Sequence, residues 1–175
     1  MKRTIKIVVL GLLAISLNLF SQKVDPQHKV KIGDEAPNFT LSFLDGTTKQ
    51  LRDLRGNVIM LQFTASWCSV CLKEMPCIEE EIWKVHKENP NFKLFGIDFK
   101  EDKETIEKFI QKTKVSYPIL LDEEGKIFEL YAEKGAGVTR NVIIDKQGKV
   151  RFLTRLFVRE EFDAMKKKIN ELLNE

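Results

Sequence analysis

The chain is poor in cysteine, with three in 175 residues, which excludes a disulfide-framework miniprotein. Nine glycines and five prolines exclude collagen-like and low-complexity classes. An excess of one charge is lacking too. Lysine and arginine total 29 against 26 acidic residues. Three of the basic ones, Lys2, Arg3 and Lys6, fall in the first 21 positions, which hold no acid. Without them the count is 26 against 26, so the remainder carries no basic footprint for nucleic acid. Apolar residues are plentiful. At 43% they exclude a disordered chain, and the length suits one domain with a proper core.

Basic Met1–Lys6 precedes apolar Ile7–Phe20, interrupted by Gly11, Ser16 and Asn18. At about 14 residues this run falls short of the roughly 20 that span a bilayer, and it fits the apolar region of a signal peptide. Residues 1–21 are therefore expected to be a signal peptide cleaved near Ser21-Gln22, or an anchor if uncleaved. No small-x-small pair marks the cleavage site, and no cysteine follows that could be lipidated. Export implies the oxidising periplasm, where cysteines need an explanation. Residues 22–30 read as a polar leader and 31–175 as one domain, with no repeat, linker or second domain.

Within the domain, Phe39, Leu41 and Phe43 alternate with polar residues as in a strand. Asp45-Gly46 marks a hairpin turn, with a return strand at Lys49–Leu51. Val58–Phe63 is nearly continuous in apolar residues, as in a central strand buried on both faces. Helical periodicity runs from Cys68 to about Glu88. A second buried strand is expected at Phe92–Phe99 and an amphipathic helix at Lys103–Lys112. Tyr117–Leu121 reads as extended and Ile127–Tyr131 as a short helix. Val142–Asp145 and Val150–Leu153 read as a strand pair, and Glu160–Leu173 as a terminal helix. Alternating strands and helices predict an α/β layer fold.

The sharpest signal is Trp67-Cys68-Ser69-Val70-Cys71, directly after a buried strand and opening a helix. Two intervening residues place the thiols about 300° apart on a helix, on one face and within bonding reach. Cys68 sits among unpaired N–H groups at the positive end of the helix dipole, which favours thiolate. A thiolate attacks a partner disulfide, and Cys71 then resolves the mixed disulfide. Zinc wants four ligands, but there is no second C-x-x-C, and His28 and His86 lack ligand spacing to the pair. No metal or other cofactor is expected. A purely structural disulfide closing so small a loop would add little stability. Cys77 cannot bridge either thiol on a regular helix and reads as a small buried hydrophobe, or else as a regulatory or dimer-forming thiol. Pro76 should kink the helix. Glu74 is either a solvated helix residue or a proton handler near the thiols.

These residues resemble the TlpA/ResA-like thiol-disulfide oxidoreductases, an AhpC/TSA-related branch of the thioredoxin superfamily. The resemblance covers roughly residues 31–173. Gly33–Leu41 with Asp45-Gly46 is similar to that family's opening hairpin. Trp67–Pro76, with its Glu-x-Pro ending, is similar to its active-site helix. Gly96-Ile97-Asp98, the following helix and Tyr117–Asp122 resemble its central insertion. Gly137-Val138-Thr139 with Ile143–Gly148 resembles its closing hairpin. The resemblance implies a thioredoxin-like three-layer α/β fold. A central mixed β-sheet would be flanked by helices, with an N-terminal hairpin and a central β/α insertion. It implies that Cys68 attacks, Cys71 resolves, Cys68 and Cys71 form a redox-active disulfide, and Trp67 flanks the partner groove.

Two departures matter. The family's cis-proline slot falls on Thr139, or on Arg140 were the loop one residue shorter, and neither is proline. A cis bond before a non-proline residue costs roughly 2.5–4 kcal/mol, so a trans loop is expected. Arg140 is then either a cation that favours thiolate or a surface charge. The strand slot that is often a buried acid in thioredoxins is Gln62, and the aromatic slot after it is Thr64. Protons for Cys71 would have to pass through Glu74 or water, or the resolving step would be slower.

The leading expectation is an exported thiol-disulfide oxidoreductase that reduces selected protein disulfides with electrons from a membrane donor. Protein thiols and disulfides, including those of apocytochrome c, are the expected partners. One alternative is a peroxiredoxin-like thiol peroxidase, favoured by the opening motif and Thr139-Arg140 but not by the proline-free loop Phe63–Cys68. The other is a redox-inert binding module of the same fold.

Overall fold

A computed structural model describes residues 25–175. The expected signal peptide, residues 1–21, and positions 22–24 of the leader lie outside the described residues. Strands β1 (Thr40–Ser42) and β2 (Thr48–Gln50) form an antiparallel hairpin in which Thr40 faces Gln50. Its turn is set locally. Asp45 Oδ1 accepts from the Thr47 N–H and hydroxyl at 2.8 and 2.7 Å, and Gly46 takes φ 85°, where a Cβ is disfavoured. A 3₁₀ turn, Leu51–Leu54, tucks both its leucines into the core.

The main sheet begins with β3 (Val58–Thr64), buried along its whole length. Then come helix α1 (Ser69–Ile78), a π-helical turn (Glu79–Trp83), α2 (Lys84–His86) and strand β4 (Phe92–Phe99). After these lie α3 (Lys103–Thr113), β5 (Ile119–Asp122), α4 (Phe128–Tyr131), β6 (Arg140–Ile144), β7 (Val150–Arg155) and α5 (Arg159–Asn174). The strand order is β5-β4-β3-β6-β7. β3, β4 and β5 run parallel, β6 runs antiparallel to β3, and β7 antiparallel to β6, so the sheet is mixed. α3 and β5 are the central insertion, and β5 takes the edge.

Alternation along β3 feeds two cores. Ile59, Leu61 and Phe63 face the hairpin, α4 and the two cysteines. Val58 and Met60 face α1, α3 and α5 through Met75, Phe109 and Met165. The fold is the three-layer thioredoxin-like arrangement that the family resemblance implied.

The single helix expected from Cys68 to Glu88 is not uniform. It passes through Pro76 as α-helix, and the irregularity comes three residues later, in the π-turn. That turn directs Glu79 and Ile82 inward. The Glu79 carboxylate takes both the N–H and the hydroxyl of Ser116, at 2.8 and 2.7 Å, just before β5. Strand β6 also begins earlier than expected. Its first residues, Arg140 and Asn141, are fully buried. Periodicity hides such residues, because they read as loop.

Candidate active site

Strand β3 delivers the chain to a tight turn, in which the Cys68 N–H donates to Ala65 O at 3.1 Å. Cys68 takes extended dihedrals and caps α1, its sulfur accepting the Cys71 N–H at 3.1 Å. The two cysteines are joined as a disulfide with Cα atoms 5.3 Å apart. They differ in access. Cys68 is 8% exposed and Cys71 is sealed, while Trp67 beside them is 64% exposed. Of the two residues, Cys68 is the less buried.

The loop before β6 closes over the pair. Thr139 Oγ1 lies 3.1 Å from Cys68 Sγ and 3.3 Å from Cys71 Sγ. Its carbonyl accepts from the Leu156 N–H at 2.9 Å. No described peptide bond is cis, in line with the trans loop expected there.

Glu74 is not a solvated helix residue. It is 1% exposed, and burial pushes its carboxyl up to about 7, against the opposing pull of hydrogen bonds from Asn141 and Gln62. Asn141 Nδ2 donates to Glu74 Oε1 at 2.7 Å, and Gln62 Nε2 lies 3.5 Å from Oε2. Gln62 and Asn141 face each other across β3 and β6. The Tyr117 hydroxyl donates to Gln62 Oε1 at 2.7 Å. The strand acid missing from position 62 is thus matched by a helix acid, held by the carboxamide in its place. Thr64 is buried below, 3.5 Å from Met75 Sδ.

Arg140 is not a surface charge either. It is fully buried, but its hydrogen bonds run to Gly137 and the N-terminal segment. Pro76 lies exposed on α1. Cys77 is half-buried rather than a sealed core residue, with its sulfur 3.8 Å from Lys73 O. Among the described residues no cluster of three or more His, Cys, Asp or Glu could hold a metal. No described helix is long and apolar enough to cross a membrane.

Sequence reading missed one anchor of the cysteine turn. Glu101 accepts from the Ser66 N–H and hydroxyl, both at 2.6 Å. Beside it, Asp98 is fully buried at the end of β4, opposite Thr64. Burial first, then Glu101 and Asp122, push its carboxyl up to about 8. The available signal was an acid, Asp98, inside the apolar run Phe92–Phe99. Glu101→Ala should lower unfolding free energy by about 2 kcal/mol in urea melts, because two charge-assisted bonds are lost. Glu101→Gln should retain a good part of it. Equal losses for both would show that the carboxylate's charge matters and its hydrogen bonds do not.

A disulfide at the head of a helix, after a buried strand of a mixed sheet and under a facing loop, defines the thioredoxin-fold oxidoreductases. The AhpC/TSA family model matches residues 32–153, and the chain belongs to that family. The thiol-disulfide oxidoreductase ResA of Bacillus anthracis is 31% identical over 148 residues, 83% of each chain. A solution structure from Bacteroides thetaiotaomicron, provisionally assigned as a protein disulfide isomerase, is 51% identical with TM-score 0.82, over 85% of this chain and 94% of that one. A provisionally assigned thiol:disulfide interchange protein DsbE from Chlorobium tepidum is 25% identical with TM-score 0.72, over 82% and 99%. The chain is a thiol-disulfide oxidoreductase built on Cys68 and Cys71, and the redox-inert reading falls away.

Proposed function

We propose that the protein is exported by residues 1–21 to the periplasm and there reduces selected protein disulfides. In its dithiol form, the Cys68 thiolate attacks one sulfur of a client disulfide. The client S–S bond breaks, and the departing sulfur leaves as a thiolate that takes a proton. Cys71 then gives its proton to Glu74, or to water, and attacks Cys68. The mixed disulfide breaks, the second client sulfur leaves as a thiolate, and Cys68–Cys71 is oxidised. A membrane donor returns the two electrons. Apocytochrome c, with paired thiols that oxidise on export, is a fitting client. Trp67 offers an apolar flank to the client chain.

One observation carries this reading: the Thr139 hydroxyl faces both sulfurs, while Cys68 keeps 8% of its surface exposed and Cys71 keeps none. A hydroxyl there can donate to the Cys68 thiolate and steady it. Glu74, held near neutrality and one helical turn beyond Cys71, has the affinity a proton acceptor needs.

Equilibration in glutathione buffers tests the direction. A potential near roughly −270 mV supports a reductase fed by a membrane donor, and one near roughly −120 mV makes the protein an oxidant. The AhpC/TSA match supports thiol peroxidase as the second reading. Peroxide turnover by the dithiol well above that of free thiol would establish it in place of the first.

A further inference from the structure

The loop that presents Thr139 has no proline to stiffen it, so other contacts hold its shape. Arg140 follows Thr139 directly and opens β6. Its Nε donates to Gly137 O at 3.0 Å, which closes the loop around Thr139. Its Nη2 reaches Gln27 Oε1 at 3.3 Å and lies 3.8 Å from the Asp25 carboxylate. The same carboxylate meets Arg155 Nε at 3.0 Å. Nη1 is buried without a hydrogen-bond partner. Burying a guanidinium is unfavourable unless charge and acceptors compensate it. Here they come from Asp25 and Gln27 in the N-terminal segment, together with one loop carbonyl.

That segment is itself fastened on two sides. The Glu133 N–H donates to Gln27 O at 2.9 Å, and the Lys29 N–H to Tyr131 O at 3.0 Å, on the stretch leading into the loop. His28 Nε2 sits 3.2 Å from Thr154 O, on the strand that pairs with β6. The segment therefore bridges the chain before the loop and the strand beside it, and Arg140 joins it by hydrogen bonds to the loop at Gly137 O.

We propose that Arg140 is a positioning residue. It couples docking of the segment Asp25–His28 to the place of the Thr139 hydroxyl, and so to the reactivity of Cys68. Undocking removes the acceptors that hold the guanidinium, which releases its grip on Gly137 O and lets Thr139 move off the sulfurs. A segment emerging directly from the N-terminal stretch is thus sensed at the disulfide. The inference rests on the reading of Thr139 as the sulfurs' hydroxyl partner.

The test uses the chain as the cell processes it, fully reduced. It compares Asp25→Asn/Gln27→Ala, Arg140→Met, Arg140→Lys, their combination and Thr139→Val. Iodoacetamide labelling of Cys68 at pH 7 is the readout, with thermal melts to confirm folding. Asp25→Asn/Gln27→Ala should slow labelling about fivefold, the worth of one net hydrogen bond. Arg140→Met should do the same, Arg140→Lys less, and segment and arginine changes combined should give less than the sum of the two, since they share the Arg140 contacts while Asp25→Asn also breaks the Asp25–Arg155 pair. If Asp25→Asn/Gln27→Ala labels at the wild-type rate while Thr139→Val slows labelling, the coupling is wrong and the Thr139 reading survives. If Thr139→Val is also unchanged, both fail. Should Arg140→Met not fold, the segment variant decides alone.

Discussion

Cys71→Ser halts the reaction at the mixed disulfide. The variant retains the less buried, helix-capping thiol proposed to attack, and it lacks the sealed thiol proposed to release the product. Incubated with an oxidised protein such as insulin, it should accumulate a covalent adduct on non-reducing gels. Its catalytic turnover should fall at least ~10³-fold. Cys68→Ser should lose turnover to the same extent and form no adduct, because Cys71 is fully buried and cannot reach a protein disulfide. Dithiothreitol should dissolve the Cys71→Ser adduct. If Cys68→Ser were the variant that traps, the two roles would be exchanged and the burial argument would fail.

Glu74→Gln should remove part of the protein's pH dependence. The folded carboxyl is raised from an ordinary 4.5 to about 7, so the native state holds a proton that the unfolded chain releases earlier. Its stabilising contribution is therefore in hand below about 4.5 and is lost as pH rises to about 7, on the order of 3 kcal/mol. Asp98, raised from 3.8 to about 8, acts with the same sign over an overlapping range. His28 acts in the opposite sense. Burial, then the Arg140 charge, lowers it from 6.5 to about 4, so its contribution is lost as pH falls through that window. Urea melts from pH 4 to 8 should thus show wild-type stability declining above about 5. Glu74→Gln should flatten the decline and Glu74→Gln/Asp98→Asn nearly abolish it. The resolving step should slow in Glu74→Gln and lose its pH slope near 7. An unchanged stability profile would mean that the carboxyl titrates at an ordinary value.

Much of the fold was legible because its signals are local. The apolar run Val58–Phe63 became the central strand, and Asp45-Gly46 the hairpin turn. The stripe Phe162, Met165, Ile169 and Leu172 became the buried face of α5. Polar residues inside the core were not legible. Arg140 and Asn141 looked like loop, and Glu74 was left open between surface and site. Most of their partners come from elements distant in sequence, the segment Asp25–Gln27 for Arg140 and the pairing of α1, β3 and β6 for Glu74 and Asn141. The grip of Glu101 on Ser66 also joins two loops that sequence spacing does not relate.

The sequence by itself determined the reactive pair. Two cysteines three positions apart at the start of a helix meet through backbone geometry alone, and the same helix end favours the first as thiolate. The tertiary structure decided how that pair is tuned. Thr139 reaches the sulfurs from 71 and 68 residues away, and Asn141 holds Glu74 from 67 residues away. Desolvation and hydrogen bonding depend on what surrounds a group in space, and here those surroundings are set by the folding of β6 against β3.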